Sequence, residues 1–326
     1  MESIKKYTLL FEQHMKSNPL TRTPVNLYEP ADYILSLGGK RLRPVFVLLG
    51  CDLYNPIIDS ALDAAMAVEV FHNFTLLHDD IMDKAELRRG MPTVHMKYNT
   101  NTAILSGDVM MIQSYQYLLN YKDAVVSKSL LDIFNKMAFE VCEGQQLDMD
   151  FERRKDVTIS EYLHMITYKT SVLMAASIQM GALLGGASVA DQQHLYEFAK
   201  NFGIAFQLQD DILDTFGEMS VVGKRIGGDI LQNKKTYLFL KSMELADASQ
   251  KKVLHDFYYK DPVISDEEKI TAVTQIFKDV NVEEYSRQVI EAYRDLSVSH
   301  LLACDISPSS KEWLTEFINQ ILYRNY

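Results

Sequence analysis

The amino-acid sequence predicts an all-α protein on three observations. No proline occurs between Pro92 and Pro262 and no glycine follows Gly228, so helix-breaking residues are sparse over most of the chain. Long segments carry apolar residues at helical spacing. No segment shows the sustained alternation of a half-buried strand, and no Asn-Gly or Asp-Gly dipeptide marks a hairpin turn. We therefore expect a single-domain helical bundle spanning residues 1–326.

The interior helices are predicted from segments that are apolar almost all round, as buried helices are. These segments are residues 61–77, 130–147, 173–184 and 195–213. Clusters of turn residues mark the loops, at residues 18–30, 38–39, 88–92, 185–186 and 217–228. From Lys241 onward the sequence is more polar and amphipathic, which predicts an outer layer of helices.

Composition and charge exclude several classes of protein. A formal net charge of −11 leaves no surplus of Lys and Arg to neutralise a nucleic-acid backbone, so we expect no nucleic-acid partner. No run of about 18 apolar residues occurs, which predicts no membrane span. The N-terminal segment lacks the apolar core of a secretory signal. Three widely spaced cysteines suit a reducing compartment, and we expect a cytoplasmic location.

Two acidic motifs with the same spacing are the most informative feature of the chain. HDDIMD (78–83) and QDDILD (209–214) each carry carboxylates at i, i+1 and i+4. On a helix, the first and last of these share a face, where like charges destabilise the helix. A single acidic run is more often a solvated helix face. Because both copies are embedded in apolar sequence, where acids are rarely buried without a partner, we expect them to bind a cation. Carboxylate oxygens favour Mg²⁺, whose coordination substrate phosphates complete.

Basic residues cluster in further motifs. They are GGKRLRP (38–44), LRRG (87–90), YKTS (168–171) and GKRIGGD (223–229), the last continuing to Lys234. Arginine suits bidentate phosphate contacts, and lysine acts as a compact point charge. Alternatively, the cations of the first motif only complement a helix C-terminus, and the hydroxyls of YKTS only bond to helix carbonyls. Lys169, in an otherwise apolar helix, needs a partner or water.

With these motifs in this order, the chain resembles the trans-isoprenyl diphosphate synthases of the polyprenyl synthetase family. GGKRLRP, LLHDDIMD, LRRG, YKTS, FQLQDDILD and the GKxxGGD loop have the family's order and approximate spacing, and they cover residues 38–236. The resemblance implies an orthogonal helical bundle around a central cavity. It implies a Mg²⁺-dependent prenyltransferase that joins isopentenyl diphosphate to dimethylallyl, geranyl or farnesyl diphosphate. It also implies a homodimer, with up to three Mg²⁺ ions per site.

The resemblance also implies a role for individual residues, with both acidic motifs acting on one allylic diphosphate. The implied Mg²⁺ ligands are Asp79, Asp83 and Asp210, supported by Asp80 and Asp214. The residues implied to contact the leaving diphosphate are Arg88, Lys169, Lys224 and Lys234. Lys169 would be catalytic together with Thr170 and Gln207, whose oxygen dipoles would face the allylic cation. The residues implied to bind isopentenyl diphosphate are Lys40, Arg43, His72 and Arg89. Gln145 and Asp148 would have supporting roles, and the released diphosphate would take the final proton.

Product length is predicted from two residues that precede the first acidic motif. Phe74 and Thr75 lie five and four positions before Asp79, about 6–7 Å along a helix, where a growing apolar chain would meet them. An aromatic residue with a small neighbour at these positions resembles short-chain synthases that make C20 products. We therefore favour geranylgeranyl diphosphate, with farnesyl diphosphate or a longer polyprenyl diphosphate as alternatives. The other interpretation of Phe74 is simple core packing.

Other classes of function predict different motifs. In a terpene cyclase the second metal motif usually mixes Asn or Asp with Ser or Thr and Glu, whereas this chain has DDILD. Basic motifs for a second diphosphate also disfavour a head-to-head condensing enzyme. A non-catalytic partner subunit on the same fold is expected to lose acidic-motif residues, and none is missing here. A helical scaffold with acidic surface patches predicts no Mg²⁺-dependent activity.

Overall fold

Helices account for nearly all regular structure in the computed structural model, which describes residues 2–217, 226–260 and 264–323. The predicted all-α class is thereby confirmed. The α-helices are, in chain order, α1 Glu2–Ser17, α2 Val25–Ser36, α3 Leu42–Asp52, α4 Leu62–Met82, α5 Val94–Lys97, α6 Thr100–Leu119, α7 Ala124–Arg153, α8 Ile159–Ile166, α9 Val172–Gly185, α10 Val189–Phe216, α11 Gly228–Leu231, α12 Tyr237–Leu245, α13 Ala248–Tyr259, α14 Asp266–Asp279, α15 Val282–Ala303 and α16 Pro308–Leu322. A 3₁₀ turn at Ile58–Ala61 precedes α4, and a π-helical turn at Thr167–Ser171 joins α8 to α9.

A short hairpin between α4 and α5 departs from the predicted absence of strands. Strand β1 (Leu87–Arg88) pairs antiparallel with β2 (Met91–Pro92), with Leu87 opposite Pro92. Arg89 and Gly90 form the turn with φ values of 54° and 77°. A two-residue turn with both φ values positive matches the twist of the paired strands. Strands of two residues are too short to produce an alternating pattern, which is why the sequence did not predict them.

The chain divides into two compact units, Met1–Lys136 with Ala176–Tyr196 and Met137–Ala175 with Glu197–Tyr326. The predicted single domain remains a prediction. In the first unit α4 packs on α3 and α6, and its middle is buried all round, as its apolar composition predicts. An aromatic cluster stabilises this core, because the ring of Phe134 lies 5.2 Å from that of Phe71 and 5.0 Å from that of Tyr115.

The second unit is organised around the π-helical turn. Helix α8 begins with a capping box, in which Thr158 and Glu161 satisfy each other's backbone N–H groups. The π turn approaches α7 at Gly144, where a Cβ atom would lie 2.3 Å from the backbone nitrogen of Lys169. Only glycine allows this approach, so Gly144 sets the position of the YKTS segment.

Among the described residues, no helix combines the length and the apolar composition that a membrane span requires.

Candidate active site

The first two basic motifs meet in the first unit. Between α2 and α3 the chain turns through Gly38 and Gly39, whose φ values of 79° and 132° suit glycine. Arg89, at the tip of the hairpin, donates a hydrogen bond to the carbonyl oxygen of Gly38. The arginine side chain lies against Gly39, where a Cβ atom would be 2.7 Å from Arg89 Nη2. Motifs that lie about fifty residues apart are thus joined by one side chain.

His72 and three arginines form the centre of this basic cluster. Arg43 Nη1 lies 3.1 Å from Nε2 of His72. Burial lowers the pKa of His72 well below its usual range, and the positive charges of Arg43, Arg89 and Arg88 lower it further. The imidazole is therefore neutral near pH 7, and its Nε2 accepts the hydrogen bond from Arg43. Lys40 lies exposed on the adjoining loop. The predicted residues for the second diphosphate thus lie on neighbouring segments of one unit.

Arg41, the middle cation of the GGKRLRP motif, is held inside the protein by an ion pair and a hydrogen bond. Arg41 is buried, forms an ion pair with the equally buried Glu69, and donates to the carbonyl oxygen of Leu35. Asn73 donates to the same Glu69 carboxylate at 3.0 Å. Breaking such a buried pair leaves an uncompensated charge, so Arg41 anchors the loop that carries Lys40 and the start of α3, which carries Arg43.

The first acidic motif lies at the C-terminal end of α4. Asp79 and Asp83 are one helical turn apart, with the Asp83 N–H donating to the Asp79 carbonyl oxygen at 2.8 Å. Asp80 points inward, is buried, and accepts two hydrogen bonds from Arg88, at 2.8 Å from Nε and 2.7 Å from Nη2. Asp80 therefore positions Arg88. The predicted contributions of Asp80 to Mg²⁺ binding and of Arg88 to diphosphate binding remain predictions.

The second acidic motif lies near the end of α10 in the second unit. Asp214 is buried, and its carboxylate accepts a hydrogen bond of 2.9 Å from the backbone N–H of Asp229. Its backbone carbonyl accepts one of 2.6 Å from Gly227. Asp214 thereby anchors the start of α11. Lys234 Nζ lies 4.0 Å from the carboxylate of Asp229. The predicted Lys224 lies outside the described residues.

Two separate sets of polar contacts hold the predicted catalytic residues of the second unit. Lys169 Nζ lies 2.5 Å from the carboxylate of Asp148. Thr170 Oγ1 donates to Oε1 of Gln207 at 3.3 Å, and Gln207 Nε2 donates to Oδ1 of Asp211 at 3.1 Å. Tyr162 donates its hydroxyl to Oδ2 of Asp211. Turns of π helix occur frequently at functional sites, and here one presents Lys169 and Thr170 together.

Tyr162 and Asp211 were not predicted as site residues. Burial and the neighbouring Asp229 raise the pKa of Asp211 well above its usual range, while the hydrogen bonds from Tyr162 and Gln207 act in the opposite direction. Burial, followed by the charge of Asp211, raises the pKa of Tyr162. Tyr162 precedes Lys169 by seven positions, a spacing of about two helical turns, and this was the one signal in the sequence that pointed to it.

These side chains line a small cavity of about 80 Å³ within the second unit. Its polar lining comprises Asp148, Glu152, Tyr162, Lys169, Thr170, Gln207, Asp211, Asp229, Lys234, Lys235 and Thr236. A larger groove of about 740 Å³, between α15 and α16, is lined by none of the predicted site residues. Of the two, only the small cavity is lined by predicted site residues.

Lys235 lies next to the predicted Lys234 but is buried. It donates to the backbone carbonyls of Asn233 and Glu152, at 2.8 and 3.3 Å. Its ammonium group lies 4.8 Å from the ring centre of Tyr259, within the range of a cation–π contact. Burial lowers the pKa of Lys235 to about 8. These contacts connect the segment that carries Lys234 to the ends of α7 and α13.

The fit of the acidic residues to a metal ion rests on the chemistry of their oxygen atoms. Within residues 2–217, 226–260 and 264–323, no three His, Cys, Asp or Glu side chains form a preassembled metal-binding group. Mg²⁺ in phosphate-transferring sites is held by one or two carboxylates and completed by substrate oxygens, so a preassembled cage is not required. Asp79 and Asp83, one turn apart, supply hard oxygen donors of the right kind.

The two residues predicted to set product length face different ways on α4. Phe74 is 9% exposed, and its ring centre lies 5.5 Å from that of Phe71 and 4.9 Å from that of His78. Thr75 precedes Asp79 by one turn on the same helix face and donates to the carbonyl oxygen of His72 at 2.8 Å. Phe74 is therefore part of the aromatic core, and its role as a floor for the product remains a prediction.

An all-α fold, aspartate-rich helix ends and basic clusters suited to diphosphates together define the class of trans-prenyltransferases. The chain belongs to the polyprenyl synthetase family, because that family model matches residues 24–277. Enzymes of this family use Mg²⁺.

Several proteins of known name or structure are similar to this chain. The chain is 45% identical over 227 residues to a geranylgeranyl diphosphate synthase of Methanosarcina mazei, which covers 69% of this chain and 70% of the relative. It is 35% identical over 322 residues to a geranylfarnesyl diphosphate synthase of Natronomonas pharaonis, over 93% and 91% of the two chains. A crystal structure of a geranylgeranyl pyrophosphate synthase superposes with a TM-score of 0.93 at 44% identity, covering 100% of both chains.

Proposed function

We propose that this chain condenses isopentenyl diphosphate with dimethylallyl, geranyl and farnesyl diphosphate to yield geranylgeranyl diphosphate. The single observation that carries the proposal is the clustering of Lys169, Thr170 and Gln207 on one cavity, in a chain of the polyprenyl synthetase family. Charge and oxygen dipoles at one site suit a reaction in which a diphosphate leaves and an allylic cation forms.

Metal binding in this proposal uses the acidic motifs. Asp79, Asp83 and Asp210 would hold up to three Mg²⁺ ions, with Asp80 and Asp214 in support. When bound, Mg²⁺ neutralises the charge that develops on the leaving diphosphate.

The side chains of the cavity act on the reacting groups. The carbon–oxygen bond of the allylic diphosphate breaks, and its electron pair leaves with the diphosphate. Lys169, held by Asp148, contributes positive charge to that group, and Lys234 and Lys224 add to it. Thr170 and Gln207 turn oxygen dipoles towards the carbon that becomes positive. The double bond of isopentenyl diphosphate then attacks this carbon, and the released diphosphate accepts the proton that is lost.

The second substrate would bind to the basic cluster of the first unit. Arg43 and Arg89 offer guanidinium groups, which suit bidentate contacts with a diphosphate. His72 contributes as a neutral ring held by Arg43, and Lys40 adds a charge from the exposed loop.

The length of the product is proposed from the relatives and from Phe74. Relatives named for C20 products and relatives named for C25 products both match this chain at 31–45% identity, so identity alone does not separate them. Phe74 with its small neighbour Thr75 resembles the pattern of the family's short-chain synthases that make C20 products, and this resemblance favours C20 over C25.

A homodimer is part of the proposal, supported by helix α6. Leu105, Ile112 and Leu119, seven residues apart, are 56–64% exposed, and Ile104 and Met111 extend the same apolar stripe. Stripes of this kind on a folded protein mark surfaces that associate. Sedimentation velocity should give a dimer for the wild type and a monomer for Ile112→Glu. We also expect a cytoplasmic location, on the composition of the sequence.

The decisive experiment incubates the purified chain with labelled isopentenyl diphosphate and each allylic primer, with and without Mg²⁺. We expect Mg²⁺-dependent condensation and a C20 product from every primer, resolved by chromatography. A C15 or C25 product would overturn the assignment of product length. Absence of condensation with every primer would overturn the proposed function and favour a non-catalytic partner subunit.

A further inference from the structure

The hydroxyl of Tyr162 and the carboxylate of Asp211 form a buried contact that the proposed mechanism does not use. Tyr162 is 2% exposed and Asp211 is 4% exposed, and the contact joins α8 to α10. A buried carboxylate is costly unless its oxygens are hydrogen-bonded. Here both oxygens are, because Oδ2 accepts from Tyr162 and Oδ1 accepts from Gln207.

We propose that Tyr162 and Asp211 are positioning residues that fix the side-chain amide of Gln207, so that its carbonyl oxygen faces Thr170 and the cavity. The inference rests on the proposed function and deepens it. The amide of glutamine has a donor end and an acceptor end of nearly equal shape, and neither end is preferred without a neighbour that discriminates between them.

The hydrogen bonds around Gln207 supply that discrimination. Asp211 accepts a hydrogen bond from Nε2 of Gln207, which directs the donor end away from Thr170. The opposite end, Oε1, accepts from Thr170 and keeps a second lone pair. Tyr162 holds the Asp211 carboxylate in the rotamer that makes this possible. A reversed amide would turn its N–H groups towards an allylic cation, which would destabilise the cation.

The hydrogen bonds from Tyr162 and Gln207 suit Asp211 to a positioning role rather than to that of a metal ligand. Each of its two carboxylate oxygens accepts one hydrogen bond, from a donor on α8 or on α10, and these bonds turn the carboxylate towards Tyr162 and Gln207. Asp211 follows Asp210 directly, so the second acidic motif would divide its carboxylates between two tasks. In this division Asp210 would hold Mg²⁺, and Asp211 would orient Gln207.

The consequence is a defect in the chemical step without a defect in substrate binding. An oriented dipole that matters only after the allylic bond has broken stabilises the transition state and not the bound substrates. Tyr162→Phe removes one oxygen atom and keeps the ring. We expect this variant to lower kcat about tenfold, as loss of a supporting hydrogen bond typically does. The KM values of both substrates and the Mg²⁺ concentration for half-maximal activity should change less than about twofold.

The test is a double-mutant cycle in the full chain with farnesyl and isopentenyl diphosphates. Tyr162→Phe, Gln207→Leu and the double variant are compared by single-turnover condensation, with folding checked by circular dichroism. Because Tyr162 acts through Gln207, the double variant should be no slower than Gln207→Leu alone. The matched control is Tyr117→Phe, which alters another buried tyrosine, on α6, and should retain wild-type kcat.

Several outcomes would overturn the inference while the proposed function stands. With an active wild type, one such outcome is an unchanged kcat in Tyr162→Phe. A second is that Tyr162→Phe lowers the rate by the same factor whether Gln207 is present or replaced. A third is a shifted Mg²⁺ requirement in Tyr162→Phe. If Tyr162→Phe fails to fold, Asp211→Asn provides the same cycle with an isosteric side chain. An inactive wild type would instead refute the proposed function itself.

Discussion

Arg88 holds the carboxylate of Asp80 through two parallel hydrogen bonds of 2.8 and 2.7 Å. The carboxylate side chain is 4% exposed and the guanidinium side chain 22%. This pair connects the end of α4 to the hairpin that carries Arg89, so an acidic residue positions part of the basic cluster. Bidentate pairs of this kind add geometric specificity as well as energy.

Asp80→Asn should destabilise the protein, because it leaves the Arg88 guanidinium partly buried without its counter-charge. We expect the free energy of unfolding to fall by about 1–3 kcal/mol, measured by urea denaturation. The matched control is Asp132→Asn, which breaks the exposed Lys128–Asp132 pair and should cost less than about 0.5 kcal/mol. Equal losses in the two variants would contradict a structural role for the Arg88–Asp80 pair.

Asp79→Ala should nearly abolish turnover while the fold is retained. The substitution removes a predicted Mg²⁺ ligand from the last turn of α4, and the charge of the leaving diphosphate then lacks its cation. Initial rates over a range of Mg²⁺ concentrations measure the loss, and circular dichroism checks the helical content. Asp132→Ala, on an exposed face of α7, serves as the control and should be fully active. Wild-type activity in Asp79→Ala would refute the metal assignment.

Phe74→Ala should lengthen the product from C20 to C25 or beyond, if the ring is the floor that stops elongation. The change also removes ring contacts with Phe71 and His78 and should cost about 3–5 kcal/mol of stability. Phe11→Ala, which truncates a fully buried ring of α1, controls for that cost and should leave the product unchanged. Chromatography of the labelled products decides the matter, and a C20 product from Phe74→Ala would leave core packing as the role of this ring.

Stability near pH 9 should depend on Lys235. Burial lowers the pKa of this lysine to about 8 in the folded protein, below its usual value in the unfolded chain, so the unfolded state binds more protons above pH 8. The contribution of Lys235 to folding stability therefore rises with pH between about 8 and 10.5, and the destabilisation by its buried charge is fully present below pH 8. Relative to Lys235→Met, the wild type should gain about 1–3 kcal/mol across this window in urea denaturation.

The control for this measurement is Lys128→Met, which replaces a lysine that is 74% exposed. Tyrosine titrations are common to these proteins and cancel in each difference from the wild type, so we expect the larger variation with pH for Lys235→Met. A pH-independent difference for Lys235→Met would contradict the lowered pKa of Lys235.

The local pattern of apolar residues was sufficient to predict the long helices. It was insufficient to predict the short irregular elements. The apolar segment at 195–213 falls within α10, and that at 61–77 falls within α4 except for its first residue, because a repeating apolar face needs only the sequence to be recognised. The hairpin at 87–92 was missed, since two residues per strand carry no period. The π turn at Thr167–Ser171 was missed as well, because a single extra residue in a helix leaves no mark in the apolar pattern.

The sequence likewise predicted only part of the candidate site. Ordered motifs identified Lys169, Thr170 and Gln207, and the structure brings all three to one cavity. The burial of Lys235, directly after the predicted Lys234, was not predicted, because neighbouring residues on a chain can face opposite environments.

The sequence by itself determined the all-α class, the family, and which acidic and basic residues are available for chemistry, because periodicity and ordered motifs are properties of the chain alone. Only the tertiary structure decided which partner each of these residues contacts. Tyr162 and Asp211 are 49 positions apart, and their hydroxyl–carboxylate contact exists because α8 packs beside α10. Such pairings depend on which helix faces pack together, and that choice is made by the summed burial of many side chains rather than by any one motif.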